Sequence, residues 1–396
     1  MLKVKVGLIG IFDMLKFKNL KRDRLEAIEN TPAKPLKEEY YVNHLARIFH
    51  PEKQHLVIKE IIEENYDTKT FVLTNDKESE TKELAPFKAG SYISIMFKDV
   101  ATKNNVVART YSLSSSPKEA LNNIYKVTIK RKSDGLLSSY LLDEAKVNDK
   151  LIASEVGGNL TYNKLRDAKN VIALAGGTGI TPFLSMAKAI NEKSEDFNLT
   201  ILFGIRTLKD KIFEKEFKEI EENTNHKVKV VYVLSEENNP NYEHGFIDVN
   251  LIKKYAPKDE QYSIFAAGPS AMIEFLDKEL SKLNLEKKFI RIERTATNLD
   301  ISDSSIYNIK VNCEHEVYEI KANANETILT ALERSGLPIR SKCHLGGCGF
   351  CRSRIIKGTY VATKYEKLRM TDKKYHFFHP CCSYPTSDME IEIFKY

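Results

Sequence analysis

Three unlike patterns follow one another along this 396-residue chain and predict a multidomain α/β and β protein. Short alternating β runs over residues 53–165 predict an antiparallel β-barrel. Strands and helices alternate over 166–297, which predicts a parallel α/β domain. A polar tether at 298–305 then leads into a small β-grasp domain at 306–396 that carries a cysteine-rich loop. Residues 1–52 precede all three as an extension.

Composition bounds the function. Charged residues make up 29% and hydrophobic ones 42%, the balance of an ordinary globular chain. All six cysteines lie at or after Cys313, whereas a disulfide-stapled secreted protein would scatter them. A reducing, cytoplasmic location is expected. The net charge of +6 is modest, and no basic stripe interleaved with aromatics marks a nucleic-acid partner. Nothing approaches the roughly 18 consecutive apolar residues that a spanning helix needs. The run Val6 to Phe12 stops at Asp13 without a cleavage pattern and is not a signal peptide.

In the extension, seven Lys or Arg face only Asp13 and Asp23 between Met1 and Arg24. A solvated basic arm explains this; contact of residues 1–24 with an acidic partner or a peripheral membrane surface is the alternative. Val4, Leu8, Ile11 and Leu15 recur at helical spacing and predict an amphipathic helix packed on the protein's own body. Thr31 to Leu36 is an irregular linker, and His50-Pro51 opens the first domain. Barrel strands are expected at His55 to Ile61, Thr68 to Thr74, Tyr92 to Phe97 and Tyr125 to Lys130. The α/β pattern gives strands at Val171 to Leu174, Leu199 to Phe203, Lys227 to Leu234 and Tyr262 to Ala266. Its helices follow Pro182 and span Ile212 to Glu221 and Ala271 to Lys282. The last domain has strands Tyr307 to Val311 and Val317 to Lys321, then a helix from Thr327 to Arg334.

Cys343, Cys348 and Cys351 are answered by Cys381 after 29 intervening residues. That is the C-x4-C-x2-C…C spacing of plant-type [2Fe-2S] centres. Such a cluster is negatively charged and needs N–H dipoles around it, and Gly346, Gly347 and Gly349 let the loop supply them. A zinc site would group its cysteines as two close pairs, so it is the weaker reading. Cys382 competes with Cys381 for the fourth place; the C-x-x-Tyr-Pro spacing favours Cys381. His344 is taken as a loop or surface residue, and Cys313 as a strand residue.

Two further motifs point to nucleotides. Arg109-Thr110-Tyr111-Ser112 ends a barrel strand, and Gly135-Leu136-Leu137-Ser138 opens a short helix whose first amides make a phosphate-sized anion site. Ala175-Gly176-Gly177-Thr178-Gly179-Ile180-Thr181-Pro182 links a strand to a helix, where glycines admit a dinucleotide close to the helix start.

Together these segments resemble the ferredoxin–NADP reductase superfamily, in its oxygenase-reductase form with a C-terminal plant-type ferredoxin domain. The resemblance makes the barrel a flavin-binding barrel and the α/β domain an NAD(P)-binding domain. It implies Arg109 on the flavin phosphates, Tyr111 stacked on the isoalloxazine, and Ser112 near its reactive nitrogen. Thr110 and Lys130 stand beside them, and Gly135, Leu136, Leu137 and Ser138 surround the pyrophosphate. It further implies that Gly176, Gly177, Thr178, Gly179 and Thr181 meet the pyridine nucleotide together with Gly268, Pro269 and Met272. Ala267 stands where the family usually has cysteine beside the nicotinamide, and with Thr178, Tyr111 and Ser112 completes the expected catalytic set. Arg206, with Lys209 and Lys211, suits a 2′-phosphate while Glu236 repels one, so NADH and NADPH both stay open. FAD is preferred over FMN because the barrel retains G-x-x-S.

A nicotinamide gives up two electrons as hydride, an iron–sulfur cluster takes one, and a flavin can do both. The expected function is therefore NAD(P)H-dependent transfer through flavin to the [2Fe-2S] cluster and on to an unidentified protein acceptor such as an oxygenase. Direct reduction of a quinone, free flavin or small oxidant is one alternative. A redox sensor without turnover is another.

Overall fold

Six strands make an antiparallel sheet in the order β4-β3-β6-β1-β2-β5. They are β1 (Lys53–Asn65), β2 (Thr68–Asn75), β3 (Tyr92–Lys98), β4 (Val106–Ser112), β5 (Tyr125–Lys130) and β6 (Lys150–Ser154). A bridge between Leu113 and Val127 joins the ends of the two outer strands and closes the barrel. Leu56, Ile58, Phe71, Leu73, Ile93, Ile95, Val107 and Val127 fill its interior. Helices α3 (Pro117–Leu121) and α4 (Leu136–Asp143) flank β5. This computed structural model describes residues 8–30, 40–98, 106–132, 135–294, 299 and 301–394.

The second sheet is wholly parallel, in the order β10-β9-β8-β7-β11-β12. Its strands are β7 (Asn170–Gly176), β8 (Asn198–Ile205), β9 (Val228–Leu234), β10 (Glu243–His244), β11 (Tyr262–Ala267) and β12 (Ile290–Glu293). Helices α5 (Thr181–Asn191) and α6 (Glu214–Asn223) cover one face, and α7 (Val249–Tyr255) with α8 (Ser270–Leu280) the other. Coverage on both faces is why β7 is buried continuously from Val171 to Gly176 instead of alternating. From β7 the chain builds outward through β8 and β9, then returns to place β11 on the other side of β7. That reversal opens a crevice at the carboxyl ends of β7 and β11, where ligands of open α/β sheets bind.

The last sheet runs β14-β13-β19-β15-β17. It comprises β13 (Ile306–Cys313), β14 (Glu316–Asn323), β15 (Ser353–Lys357), β17 (Phe377–Phe378) and β19 (Met389–Ile393). A two-stranded ribbon, β16 (Tyr360–Ala362) with β18 (Ser383–Pro385), lies beside it. Helix α9 (Ile328–Arg334) packs Ile328, Ala331 and Leu332 against Ile309, Val311 and Ile391. The short α10 (Met370–Lys374) precedes β17.

The extension forms its own unit, Met1–Arg47, with α1 (Leu8–Glu29) and the start of α2 (Tyr41–Phe49). The expected helix is present, but the expected apolar stripe is not. From Ile11 to Ala27 every α1 residue is exposed, including Phe12, Met14, Phe17 and Leu20. Ile11, Phe12, Met14, Leu15 and Phe17 spread around the helix, so no single face gathers them. Val4, the linker from Thr31 to Leu36, and Asn298 in the tether lie outside the described residues. Sequence reasoning also missed β6, α7 and β12, which are short and lack a distinct period.

Candidate functional site

A cavity of about 720 Å³ opens between the barrel and the carboxyl edge of the parallel sheet. Thr110, Tyr111, Ser112 and Lys130 line it from the barrel. Gly176, Gly177, Thr178, Gly179 and Thr181 line it from the turn after β7, and Ala267, Gly268, Pro269 and Met272 from the end of β11. Arg206 also lines it. Close backbone packing explains two of the glycines. A Cβ on Gly179 would overlap the Ala267 carbonyl, and one on Gly176 the Met272 sulfur. Tyr111 sits on the barrel core, and burial pushes its phenol well above the usual range, so it stays neutral.

The structure adds a residue that the sequence did not single out. Glu293 ends β12 beside Ala267 in the sheet register, and accepts a bond from Ser112 Oγ at 3.3 Å. Burial pushes its carboxyl up to about 7, with the Ser112 bond opposing. Thus a carboxyl that keeps its proton into the neutral range faces the cavity next to the barrel serine.

Arg109, Gly135, Leu137 and Ser138 lie outside that cavity, in a second cluster. Leu136 opens α4, Gly135 caps it, and Leu137 and Ser138 are buried. Lys132 keeps much of its side chain in water, yet crowding around its ammonium and then the Arg109 charge hold it below the usual lysine range. Two cations beside a helix N-terminus fit a phosphate group. Arg109 is also engaged elsewhere: Nη2 and Nη1 donate to the two Glu333 oxygens at 2.9 and 3.2 Å, and Nη1 to the Ala108 carbonyl at 2.7 Å. Glu333 belongs to α9, and its side chain is 1% exposed. Burial raises its carboxyl pKa, and Arg109 pulls it back.

The cysteine loop lies against this seam. The Cys343 thiol meets both Cys348 and Cys381, and Cys381 meets Cys351. Among the described residues no three His, Cys, Asp or Glu side chains converge as on a single bound ion. Sulfur-to-sulfur coupling drives Cys343 strongly down and Cys348 and Cys381 strongly up, so close thiols compete to be the anion. Amides of Leu345 and Cys348 point at the Cys343 sulfur, and that of Phe350 at Cys348. The donor set and these dipoles fit an anionic cluster. Gly346 and Gly349 take φ of +77° and +75°, and a Cβ on Gly346 would overlap the Cys382 sulfur. Gly347 has neither constraint. Cys382 bonds the His379 carbonyl, and Cys313 is buried in β13.

His344 is a loop residue, as expected, but a partly buried one. With φ of +51° it turns inward and bonds the Ala108 carbonyl, and burial and then Arg109 hold its imidazole down to about 3. Tyr92, opposite Ser112 in the barrel register, was also missed. Burial, then Cys343 and Cys348, push its phenol up to about 12, and Glu293 adds to this. Tyr92 therefore stands between the cavity and the cysteine loop. Arg294 bonds Tyr365 at 3.1 Å, Lys364 pairs with Glu274 at 3.3 Å, and Lys342 pairs with Glu155; these contacts hold the third domain against the other two.

Three family descriptions match the chain in order: Oxidoreductase FAD-binding domain over 55–162, Oxidoreductase NAD-binding domain over 173–278, and 2Fe-2S iron-sulfur cluster binding domain over 309–386. The chain belongs to the ferredoxin–NADP reductase superfamily. Within it, the C-terminal [2Fe-2S] domain gives this reductase the oxygenase-reductase arrangement. It is an oxidoreductase of the ferredoxin reductase type that uses FAD, a [2Fe-2S] cluster and a pyridine-nucleotide donor. Among its relatives is NADH oxidoreductase HCR of Escherichia coli, 25% identical, with 77% of this chain and 89% of that protein covered. The glycine betaine monooxygenase reductase subunit of Chromohalobacter salexigens is 22% identical, with coverages of 84% and 93%. The fold is that of phthalate dioxygenase reductase: TM-score 0.63, 24% identity, 87% of this chain and 98% of the other.

Replacing Glu333 by Gln leaves Arg109 without its carboxylate. Breaking a buried pair costs about 3–5 kcal/mol, and the partial exposure of Arg109 reduces this to about 2 kcal/mol. The temperature at which the holoprotein loses its cluster absorbance is expected to fall by several degrees, and Glu333→Asp to fall between. An unchanged melting temperature in Glu333→Gln contradicts the pairing.

Glu293 carries a pH signature. Its folded pKa is raised, so its contribution to stability is complete below about 4.5 and lost as pH rises through about 7. Bleaching of the flavin by excess nucleotide should slow above about pH 7 in the parent protein. In Glu293→Gln that inflection should vanish; its persistence would assign it to another group.

Proposed function

We propose that this reductase carries electrons from NADH through FAD to its [2Fe-2S] cluster and on to a separate oxygenase protein. The observation that carries the reading is the position of Tyr92 and Glu293. They link the nucleotide cavity to the cysteine loop, so donor and outlet share one compact site. The NADH oxidoreductase and the monooxygenase reductase subunit named above support NADH as donor and an oxygenase as acceptor.

A bound flavin supplies the conversion from hydride pairs to single electrons. The chain's own groups bind, orient and exclude water. We assign Arg109, Lys132, Gly135, Leu136, Leu137 and Ser138 to the flavin phosphates, with the free Nε edge of Arg109 facing them. Tyr111 covers the ring. Ser112 and Glu293 hold a proton at the Glu293 carboxyl beside it. Gly176 to Gly179, Thr181, Ala267, Gly268, Pro269 and Met272 position the nicotinamide end. Ala267 leaves this wall without a thiol, so orientation falls to Thr178, Ser112 and Glu293. Cys343, Cys348, Cys351 and Cys381 hold the cluster, and the domain limits expected from the sequence remain our proposed ones.

Preference for NADH follows from the charges around Arg206. Arg206 Nη2 lies 3.6 Å from Asp210 and 3.3 Å from Tyr66 OH, and Glu236 adds to its charge stabilisation. Lys130 pairs with Asp67 at 3.2 Å, and Lys211 is tied to Glu214 at 2.6 Å. Two of the three cations suited to a 2′-phosphate, Arg206 and Lys211, are thus already answered by carboxylates.

The free thiols support a cytoplasmic setting, and among the described residues no helix is long and apolar enough to cross a membrane. The exposed apolar and basic residues of α1 support contact of residues 1–24 with a partner or membrane surface.

Anaerobic stopped-flow mixing tests the reading. NADH should bleach the flavin and then the cluster, with kcat/KM for NADPH lower by about tenfold or more. Cluster reduction that precedes flavin bleaching, or equal use of NADPH, would reject it.

A further inference from the structure

The segment from Thr363 to His376 covers one side of the cysteine loop and is pinned there. The Lys367 amide donates to the Gly346 carbonyl at 3.0 Å, and Arg352, one residue beyond Cys351, bonds Asp372 at 3.1 Å. The segment holds Lys364, Lys367, Arg369, Lys373 and Lys374 against Glu366 and Asp372, and the fold sorts these charges by sign. Asp372 is buried, accepting from Arg352 and the Arg369 amide; Glu366 is half-buried, accepting from the His379 amide at 3.0 Å. All five cations are exposed. Only Lys364 among them forms an ion pair among the described residues, with Glu274.

Amid the other four stands Met370, 89% exposed, with Tyr375 exposed nearby. An apolar centre inside a charged rim is the anatomy of a protein interface. The opposite sign lies elsewhere on the same domain: Glu314, Glu316 and Glu319 are exposed on the hairpin of β13 and β14. Exposed cations thus gather beside the cluster loop, which favours an approaching acidic molecule there.

We propose that this surface docks the electron acceptor, and that the acceptor is a protein presenting carboxylates around an apolar hollow for Met370. The inference rests on the protein-acceptor reading above. One electron crosses per encounter: the reduced cluster is oxidised, the acceptor centre is reduced, and no bond or proton changes place.

The test uses the full holoprotein, with cytochrome b5 as an acidic one-electron probe and cytochrome c as a basic one. The variant reverses four charges: Lys367→Glu, Arg369→Glu, Lys373→Glu and Lys374→Glu. At low salt its kcat/KM for cytochrome b5 should fall by about tenfold, through KM, while that for cytochrome c does not fall. Added salt should weaken the parent's reaction with cytochrome b5 and narrow the difference. Met370→Ala should lower kcat/KM for cytochrome b5 by about threefold. Bleaching of the flavin and cluster by NADH should be the same in every variant. A control reverses Lys118, Lys215, Lys218 and Lys253; an equal loss there would overturn the assignment, as would unchanged kinetics in the first variant. Binding to phosphatidylserine vesicles that the reversal abolishes, with cytochrome b5 kinetics intact, would give the patch to a lipid surface and overturn it too. Parent protein that reduces ferricyanide but neither haem protein would overturn the protein-acceptor reading itself.

Discussion

One guanidinium ties the barrel to the cluster domain. Glu333 is almost wholly buried, and a carboxylate in that position keeps its charge only if a cation reaches it. Arg109 reaches it with a parallel two-oxygen contact, the strongest geometry the pair can adopt. Of the five guanidinium N–H groups, these contacts and the bond to Ala108 use three. What remains is the Nε edge, which fits a phosphate as the other edge fits a carboxylate. The residue that holds the third domain is therefore the one suited to flavin phosphates, and neither end of the seam can drift without the other.

The second constraint is topological. The sheet reverses between β7 and β11, so the glycines after β7 and Gly268 after β11 converge without any long loop. The barrel presents Thr110 to Ser112 to the same crevice from the end of β4, which pairs with β3. Glu293 completes the wall from the edge strand β12, and its bond to Ser112 spans the boundary between the two sheets.

How much of this was legible depended on whether chemistry travelled with a pattern. The cysteines, the Arg109 to Ser112 run and the glycines from Gly176 to Gly179 are contiguous motifs, and each constrains its own backbone. The order of sheets followed from period alone. Glu293, Tyr92 and Lys132 are single residues in short strands or their ends, drawn to the site by tertiary register, so no local signal marks them. Helix α1 was misread for the opposite reason: a few positions matched a helical stripe, while Phe12, Met14 and Phe17 placed apolar surface off it. Lys211 looked available because it follows the end of β8 by six residues, yet its ammonium lies over Tyr232 and Tyr242 and bonds Glu214.

The absence of a thiol at Ala267 becomes intelligible in this frame. Ala267 and Glu293 are neighbours across two parallel strands, so bulk at one position is felt at the other. Gly179 presses on the Ala267 carbonyl from above, leaving no slack in the backbone. In the proposed reading such a wall orients a flat ring by shape, with the polar contribution from Glu293 on the neighbouring strand and Ser112 across the cavity. Ser112 faces Tyr92 across the barrel register, and Tyr92 lies within the electrostatic reach of Glu293, Cys343 and Cys348. On that reading, one contiguous group of side chains would serve both the incoming nucleotide and the outlet toward the cluster, a closeness that three loosely tethered domains would not provide.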